Sequence, residues 1–381
     1  MEFDFTKVLG QSRAKNVLKK IILEDNIPPF LMFVGSEGVG KATLALEFAK
    51  ALNCENEEKR PCSECNTCRL MSQFQHPDLY ILTPNPEESI EKMRITGELR
   101  TDLYDPTKDI KINEVRELER ELWKSGTYIA RYRIIIVLNG ENLNRESQNA
   151  LLKTLEEPPP ETIIIFVVSD LGRILETISS RARKIFFSYL DFEDFKKYPF
   201  TLTEKISLPL LFRLSNGSIG IAKRLLESET IRKRKDIVEA LLTADFKKLA
   251  LVFEDLKSER KEMLNFVDFY LSLARDLLVV EVTEEKLINH DLKGELRKLR
   301  NKTNPEQIHH MFIQEEKLIN HDLKGELRKL RIKTTPEQIY HMFIQGAKSY
   351  RNIRRNANKE VVLYPLLLPF YPHSFRDIVK L

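Results

Sequence analysis

The sequence predicts an α/β domain followed by an all-helical region, and three observations carry that expectation. Residues 30–43, F-L-M-F-V-G-S-E-G-V-G-K-A-T, run from a short apolar strand through a glycine-rich turn into a helix. Two further runs, 134–138 and 162–168, are continuously apolar, as strands buried on both faces of a parallel sheet must be. From residue 190 onward apolar positions recur at helical spacing, in 208–214, 237–242 and 263–280, with charges on the opposite faces. The 381 residues leave room for two or three domains, and 42% apolar with 31% charged content is that of a soluble globular chain with a sizeable core.

At the start, Val17, Leu18, Ile21 and Ile22 are spaced for a helix ahead of the first strand. In the glycine-rich turn, Gly35, Gly40 and Lys41 have the G-x-x-x-x-G-K spacing, with Gly38 between them. Glycines let backbone N–H groups close on phosphate oxygens while the lysine reaches the outer phosphates. The next position is Ala42, where a nucleotide-bound Mg²⁺ needs a Ser or Thr hydroxyl. Thr43 is a poor substitute, because one helical step turns a side chain through about 100°. The loop is equipped for phosphate and poorly equipped for metal; the bland alternative is a glycine turn with no ligand. The following helix carries Leu44, Leu46, Phe48, Ala49 and Leu52.

All four cysteines stand between Cys54 and Cys68. Cys62, Cys65 and Cys68 make two successive C-x-x-C steps, and Cys54 supplies a fourth thiolate, which together suit a structural Zn²⁺ with no open position. Four unliganded buried thiols are the alternative. After a strand at H-P-D-L-Y-I-L, residues 84–108 are polar, contain Pro84, Pro86 and Pro106, and read as a loop or partly helical insertion with no assigned role. A helix follows with Val115, Leu118, Leu122 and Trp123 on its buried face. The run 134–138 ends in Leu138, Asn139, Gly140 and Glu141, whereas an NTPase needs an Asp for Mg²⁺ and a residue that positions the attacking water there. Counted back from N-A-L-L-K-T-L-E-E-P-P at 149–159, those two positions fall on Leu138 and Asn139. The basic cluster S-S-R-A-R at 179–183 reads equally as a solvated turn.

The net charge of +4, from 61 basic and 57 acidic residues, gives no overall electrostatic case for nucleic-acid binding, although local patches are open. No signal-peptide pattern opens the chain and no apolar run approaches the roughly 20 residues of a membrane span, so a cytoplasmic location away from membranes is expected. Residues 284–314 return as 315–345 with three of 31 positions changed: Asn301 to Ile332, Asn304 to Thr335 and His309 to Tyr340. Each copy reads as a helix, a turn, and a second helix opened by Asn304-Pro305 or Thr335-Pro336. Solenoids need about three repeats, so two copies point to a tandem duplication. His290 and His321 read as exposed helix residues, not metal ligands.

These motifs in this order resemble the AAA+ clamp-loader subunits of bacterial DNA polymerase III, those of the delta-prime type most closely. The resemblance runs over most of residues 1–226 and includes V-L-G-Q, G-S-E-G-V-G-K, the four cysteines, H-P-D-L, N-A-L-L-K-T-L-E-E-P-P, Ser180-Arg181 and L-S-N-G-S-I-G-I-A. It implies a RecA-like AAA+ domain over 1–188 with the zinc module at 54–68, a helical lid over 189–245, and a helical collar over 246–381 that holds a hetero-oligomer together and contains the duplication. The family's Ser-Arg-Cys motif falls on Ser180, Arg181 and Ala182, which implies that Arg181 enters a neighbour's ATP site as an arginine finger. The sensor arginine of the family's ATPase subunits falls on Gly220. With Ala42, Leu138 and Asn139, that implies a subunit that does not itself hydrolyse ATP, although Lys41 and its glycines could hold a nucleotide passively. The implied partners are the gamma/tau motor and delta subunits, the sliding clamp, and primer–template DNA through the assembled complex. Two alternatives stay open: an ATP-hydrolysing gamma/tau-like motor, favoured by Lys41 and Glu141, and a free-standing zinc-containing nucleotide- or DNA-binding protein.

Deleting residues 315–345 should leave a chain that folds and assembles. Loss of its cooperative unfolding by circular dichroism would count against one copy being surplus.

Overall fold

Strands that are apolar at nearly every position can be buried on both faces, and the computed structural model places three such strands at the centre of its sheet. It describes residues 2–84, 86–97, 109–123, 129–202, 206–243, 260–280 and 287–302. The chain divides into two units, Met1–Phe200 with Asn216–Ala222, and Thr201–Ser215 with Lys223–Leu381.

In the first unit, β1 (Glu2–Phe3) pairs with β3 (Lys59–Arg60) in a short parallel ribbon. The main sheet has the order β4 (Leu79–Leu82), β5 (Arg133–Val137), β6 (Thr162–Val168), β2 (Phe30–Val34), β7 (Arg183–Phe186), with every pairing parallel. The chain skips from β2 to the far edge and works back, so β2 ends up between β6 and β7. Residues alternate between two cores. Leu31, Phe33, Ile134, Ile136, Ile163 and Ile165 face one, where α1 (Ser12–Leu23) and α2 (Lys41–Asn53) add Leu18, Ile21, Leu44, Phe48 and Leu52. Phe30, Met32, Ile135, Val137, Ile164 and Phe166 face the other, where α5 (Ile112–Leu122), α6 (Arg145–Glu156) and α7 (Glu176–Ser179) add Val115, Leu118, Leu151, Leu155 and Ile178. The result is a helix–sheet–helix sandwich whose strand ends carry the loops of interest.

Local signals set the helix starts. Asn144 caps α6 by accepting from the Ser147 N–H at 2.8 Å. The Glu114 carboxylate reaches back to the Lys111 N–H at 2.7 Å and opens α5. Two expectations are corrected. Trp123 is not on the buried face of α5: it follows the last helical residue, one step round from Leu122, and is 55% exposed. The strand expected at 134–138 starts one residue earlier, at a buried Arg133 whose guanidinium donates to the Leu122 carbonyl. Part of the polar insertion is helical, α4 (Pro86–Thr96), and 98–108 lie outside the described residues. Between Cys54 and Leu79 lies α3 (Asn66–Ser72), and α8 (Phe192–Phe195) follows β7.

The second unit contains α9 (Leu208–Ser215), α11 (Glu229–Thr243), the helix Arg260–Val279, a 3₁₀ turn at His290–Leu292 and the helix Lys293–Lys302. Between α9 and α11, α10 (Ile219–Glu227) opens within the first unit and continues into the second. His290 is exposed. Residues 303–381, with the second repeat copy and His321, lie outside the described residues. Among the described residues no helix is long and apolar enough to cross a membrane.

Ile165 is fully buried in β6 and Leu23 is 63% exposed. Ile165→Ala should cost about 2–5 kcal/mol in urea unfolding, and Leu23→Ala about 0.5 kcal/mol or less.

Candidate functional site

The loop after β2 is held from both sides before any ligand is considered. The Gly35 N–H donates to the Val168 carbonyl at 3.2 Å, tying the loop to the end of β6. A Cβ at Gly35 would lie 2.6 Å from the Phe187 carbonyl oxygen, so only glycine lets the chain pass the end of β7. Gln11, from V-L-G-Q, is buried and donates to the Val39 carbonyl at 3.1 Å and the Ser188 carbonyl at 2.6 Å, while accepting from the Ser188 N–H at 3.2 Å. One side chain thereby fixes the loop to the segment beyond β7. Gly40, at φ 98°, forms the N-terminal cap of α2.

Lys41 is the first residue of α2, 4% exposed, and turns into the loop. Its ammonium donates to the Gly35 and Ser36 carbonyls, both at 2.6 Å, and to Ser169 Oγ at 3.1 Å. An ammonium has three donors, and all three are engaged. Burial lowers its pKa to about 8 against the opposing pull of Glu141 and Glu37. The Glu141 carboxylate accepts from the Ser169 N–H at 3.1 Å, so Lys41, Ser169 and Glu141 form one network; burial pushes this carboxyl above its ordinary range.

The positions that an ATPase would use for metal and phosphate are apolar or closed. Ala42 is 7% exposed and belongs to the core between sheet and α2. Leu138 is fully buried in the same core, and Asn139 follows in a left-handed turn at φ 51°. Gly38, at φ +73°, meets the first turn of α10: the Gly220 N–H donates to its carbonyl at 3.0 Å, and Ser218 Oγ donates to the Glu37 carbonyl at 2.9 Å. A Cβ at Gly220 would sit 2.6 Å from Gly38 Cα, so no side chain fits where the two backbones touch.

The four cysteine sulfurs lie within 4.8 Å of one another. A tetrahedral ion with metal–sulfur bonds of about 2.3 Å needs sulfurs roughly 3.8 Å apart, so the cluster can hold a metal ion with small adjustments. The N–H groups of Cys62, Cys65 and Cys68 donate to the sulfurs of Cys54, Cys62 and Cys65 at 3.3–3.4 Å, which favours thiolates. Burial raises the Cys62 thiol, but the Cys65 and Glu64 N–H groups and the neighbouring thiols outweigh it and bring its pKa to about 7. Burial raises the Cys54 and Cys68 thiols. Cys54 follows the last residue of α2, the helix that Lys41 begins, so the centre is separated from the loop by the 13 residues of that helix, about 20 Å.

Arg181 follows α7 at the surface, its side chain 38% exposed, donating to the Thr177 carbonyl and pairing with Glu156 of T-L-E-E-P-P. Gln148 sets the height of this turn: it is 3% exposed, donates to the Leu143 and Arg173 carbonyls at 2.9 and 3.0 Å, and accepts from the Leu175 N–H at 2.7 Å. The loop, the cysteine centre and Arg181 have separate partners; the fold does not gather them into one cluster. The motifs do not mark Gln11, Gln148 or Asp78, whose carboxylate accepts from the N–H groups of Ile129 and Ala130 at 2.9 Å. Their local sequence carries no distinguishing signal, since Gln148 stands in R-E-S-Q-N and Asp78 in H-P-D-L.

The family described as "DNA polymerase III, delta subunit" matches residues 10–191. The chain is 27% identical over 340 residues to "DNA polymerase III subunit gamma/tau" of Mycoplasma genitalium, covering 81% of this chain and 52% of that protein. It is 24% identical over 293 residues to "DNA polymerase III subunit delta'" of Bacillus subtilis, covering 74% and 82%. It is 26% identical over 338 residues to "DNA polymerase III subunit gamma" of Buchnera aphidicola subsp. Acyrthosiphon pisum, covering 79% and 86%. The chain spans about half the length of the Mycoplasma gamma/tau relatives. A solved structure of a gamma subunit-related protein from Thermotoga maritima is similar at 15% identity, with a TM-score of 0.41 over 95% of this chain and 99% of that one.

Between about pH 8 and 10.5 the folded chain holds fewer protons at Lys41 than the unfolded chain, so stability from this group rises with pH across that window. Parent and Lys41→Met should therefore diverge, the parent gaining about 2 kcal/mol on the variant from pH ~7.5 to ~10 in urea titrations. An unchanged gap would show an ordinarily solvated lysine.

Proposed function

We infer, from this chain's membership of the bacterial DNA polymerase III clamp-loader family through residues 10–191, that it is a delta-prime-like subunit of that complex. On this reading it does not hydrolyse ATP itself. It lends Arg181 to the ATP site of a neighbouring gamma/tau motor subunit while the complex, with its delta subunit, loads the sliding clamp onto primer–template DNA. We assign residues 1–188 to the AAA+ domain, 189–245 to the lid and 246–381 to the collar.

The observation that carries the first half is the closed loop. Ala42 and Leu138 are buried in apolar core where a metal-binding site needs a hydroxyl and a carboxylate, and Gly220 leaves no room for a sensor arginine against Gly38. The second half rests on the setting of Arg181. A half-exposed ion pair such as Arg181–Glu156 contributes about 0–1 kcal/mol, so the guanidinium can exchange Glu156 for a neighbour's phosphate at small cost. A specific observation favours the motor reading: Glu141, an acid, lies in the Lys41 network beside the loop.

The isolated chain is expected to show no ATP turnover, and the assembled complex carrying Arg181→Ala to assemble normally with ATPase lowered by about 10³ or more. Robust hydrolysis by the isolated chain would favour the gamma/tau-like motor. DNA affinity without partners would favour the free-standing binding protein.

For the cysteine centre we propose structural Zn²⁺ held by Cys54, Cys62, Cys65 and Cys68. The chain should bind about one equivalent of Co²⁺ with thiolate charge-transfer absorption. Cys62→Ser should weaken that signal and lower the melting temperature; a chelator-treated parent that melts unchanged would rule out a structural metal.

A further inference from the structure

The second unit contains a seat whose occupant is written twice in the sequence. The seat is lined by Arg213, Arg234, Ser272 and Asp276, each present once. Asp276 is fully buried and accepts from the N–H groups of Ile288 at 2.9 Å and Asn289 at 2.6 Å, and from the Asn289 side-chain amide at 3.0 Å. Ser272 Oγ accepts from the same amide at 3.0 Å. Arg234, 2% exposed, pairs with Asp291 and donates to Asn289 Oδ1 at 3.4 Å. Arg213 donates to the Leu287 carbonyl at 2.7 Å. Leu287, Leu292, Leu296 and Leu299 are at most 2% exposed and fill the apolar part.

Every occupant residue that makes one of these contacts recurs 31 positions later, as Leu318, Ile319, Asn320, Asp322, Leu323, Leu327 and Leu330. Within 287–302 the single change is Asn301, which becomes Ile332. A buried carboxylate and a buried guanidinium specify their occupant by hydrogen-bond pattern, and the two segments offer the same pattern.

We propose that residues 318–333 are an alternative occupant of this seat in the same chain, so that the helical unit has two registers offset by 31 residues. The second register lengthens the connection after Val280 from 281–286 to 281–317. At roughly 3.3 Å per residue that is ample reach, and the entropy of closing the longer loop disfavours this register by roughly 15-fold at most. The same 31 residues are removed from the chain after the seat, which offsets part of that difference. The duplication is thus a conformational device: one docking site and two competing copies.

The test uses the full chain with Asn289→Ala/Asp291→Ala, with Asn320→Ala/Asp322→Ala, and with all four substitutions. Redundancy predicts that each pair leaves the unfolding midpoint near the parent's, that the four-fold variant loses it, and that in the first variant hydrogen-exchange protection appears in 318–333. A first variant as destabilised as the four-fold one would overturn the proposal, as would a four-fold variant that unfolds like the parent. Rescue that grows with chain concentration would mean that a second chain fills the seat, which also overturns it. Deleting 284–314 should give the same midpoint as deleting 315–345, since the two products differ at three positions; an unfolded product from the first deletion alone would sink the idea.

Discussion

A strand buried on both faces can carry a charge only where a specific partner satisfies it, as the Leu122 carbonyl does for Arg133, and this constraint organises the first unit. Beyond their first residues β2, β5 and β6 are apolar, so polar chemistry is displaced to the loops at their carboxyl ends, where Gly35, Leu138 and Ser169 leave the sheet side by side. Because β2 lies between β6 and β7, its loop can be tied to both: to β6 through Gly35 and Val168, and past β7 through Gln11 and Ser188. The phosphate-loop geometry is therefore a property of the sheet as much as of the glycines.

Inside that frame the loop is internally satisfied. The Lys41 ammonium, buried and with its donors engaged by Gly35, Ser36 and Ser169, is held to the loop's own oxygens. Glu141 is linked to it through Ser169, although the sequence sets that acid two residues beyond the position where a catalytic carboxylate is sought. The Gly38–Gly220 contact ties the loop backbone to the start of α10. Ala42, Leu138 and Gly220 are thus parts of two packed surfaces, an apolar core and a backbone contact. Replacing one of them by a larger or charged residue would disturb its neighbours.

Arg181 and the seat of the second unit present two ways of holding a charged group. Arg181 is half-exposed and weakly paired, so exchange of partner is inexpensive. Arg234 and Asp276 are buried and tightly hydrogen-bonded, so their occupant must match or the groups are left unsatisfied. A duplicated occupant meets that demand twice.

The sequence by itself determined β2, β4, β5 and β6, the two-sided core, the loop and the cysteine set, because each is encoded in local periodicity or spacing: the apolar run Ile163 to Val168 is as short as a buried strand, and Cys62, Cys65 and Cys68 are brought close by their own short turns. It did not disclose β1, β3 or β7, whose residues are largely charged. It did not disclose that Trp123 is exposed, since helical periodicity does not mark where the helix stops. It did not disclose the roles of Gln11 and Gln148 either, whose partners lie as far as 177 and 27 residues away. Only the tertiary structure decided that Lys41 turns into its own loop, that Gly220 meets Gly38, and that Asn289 and Asp291 are buried against Asp276 and Arg234. Each is a contact between segments distant in the chain, where burial and geometry, not local pattern, choose the partner.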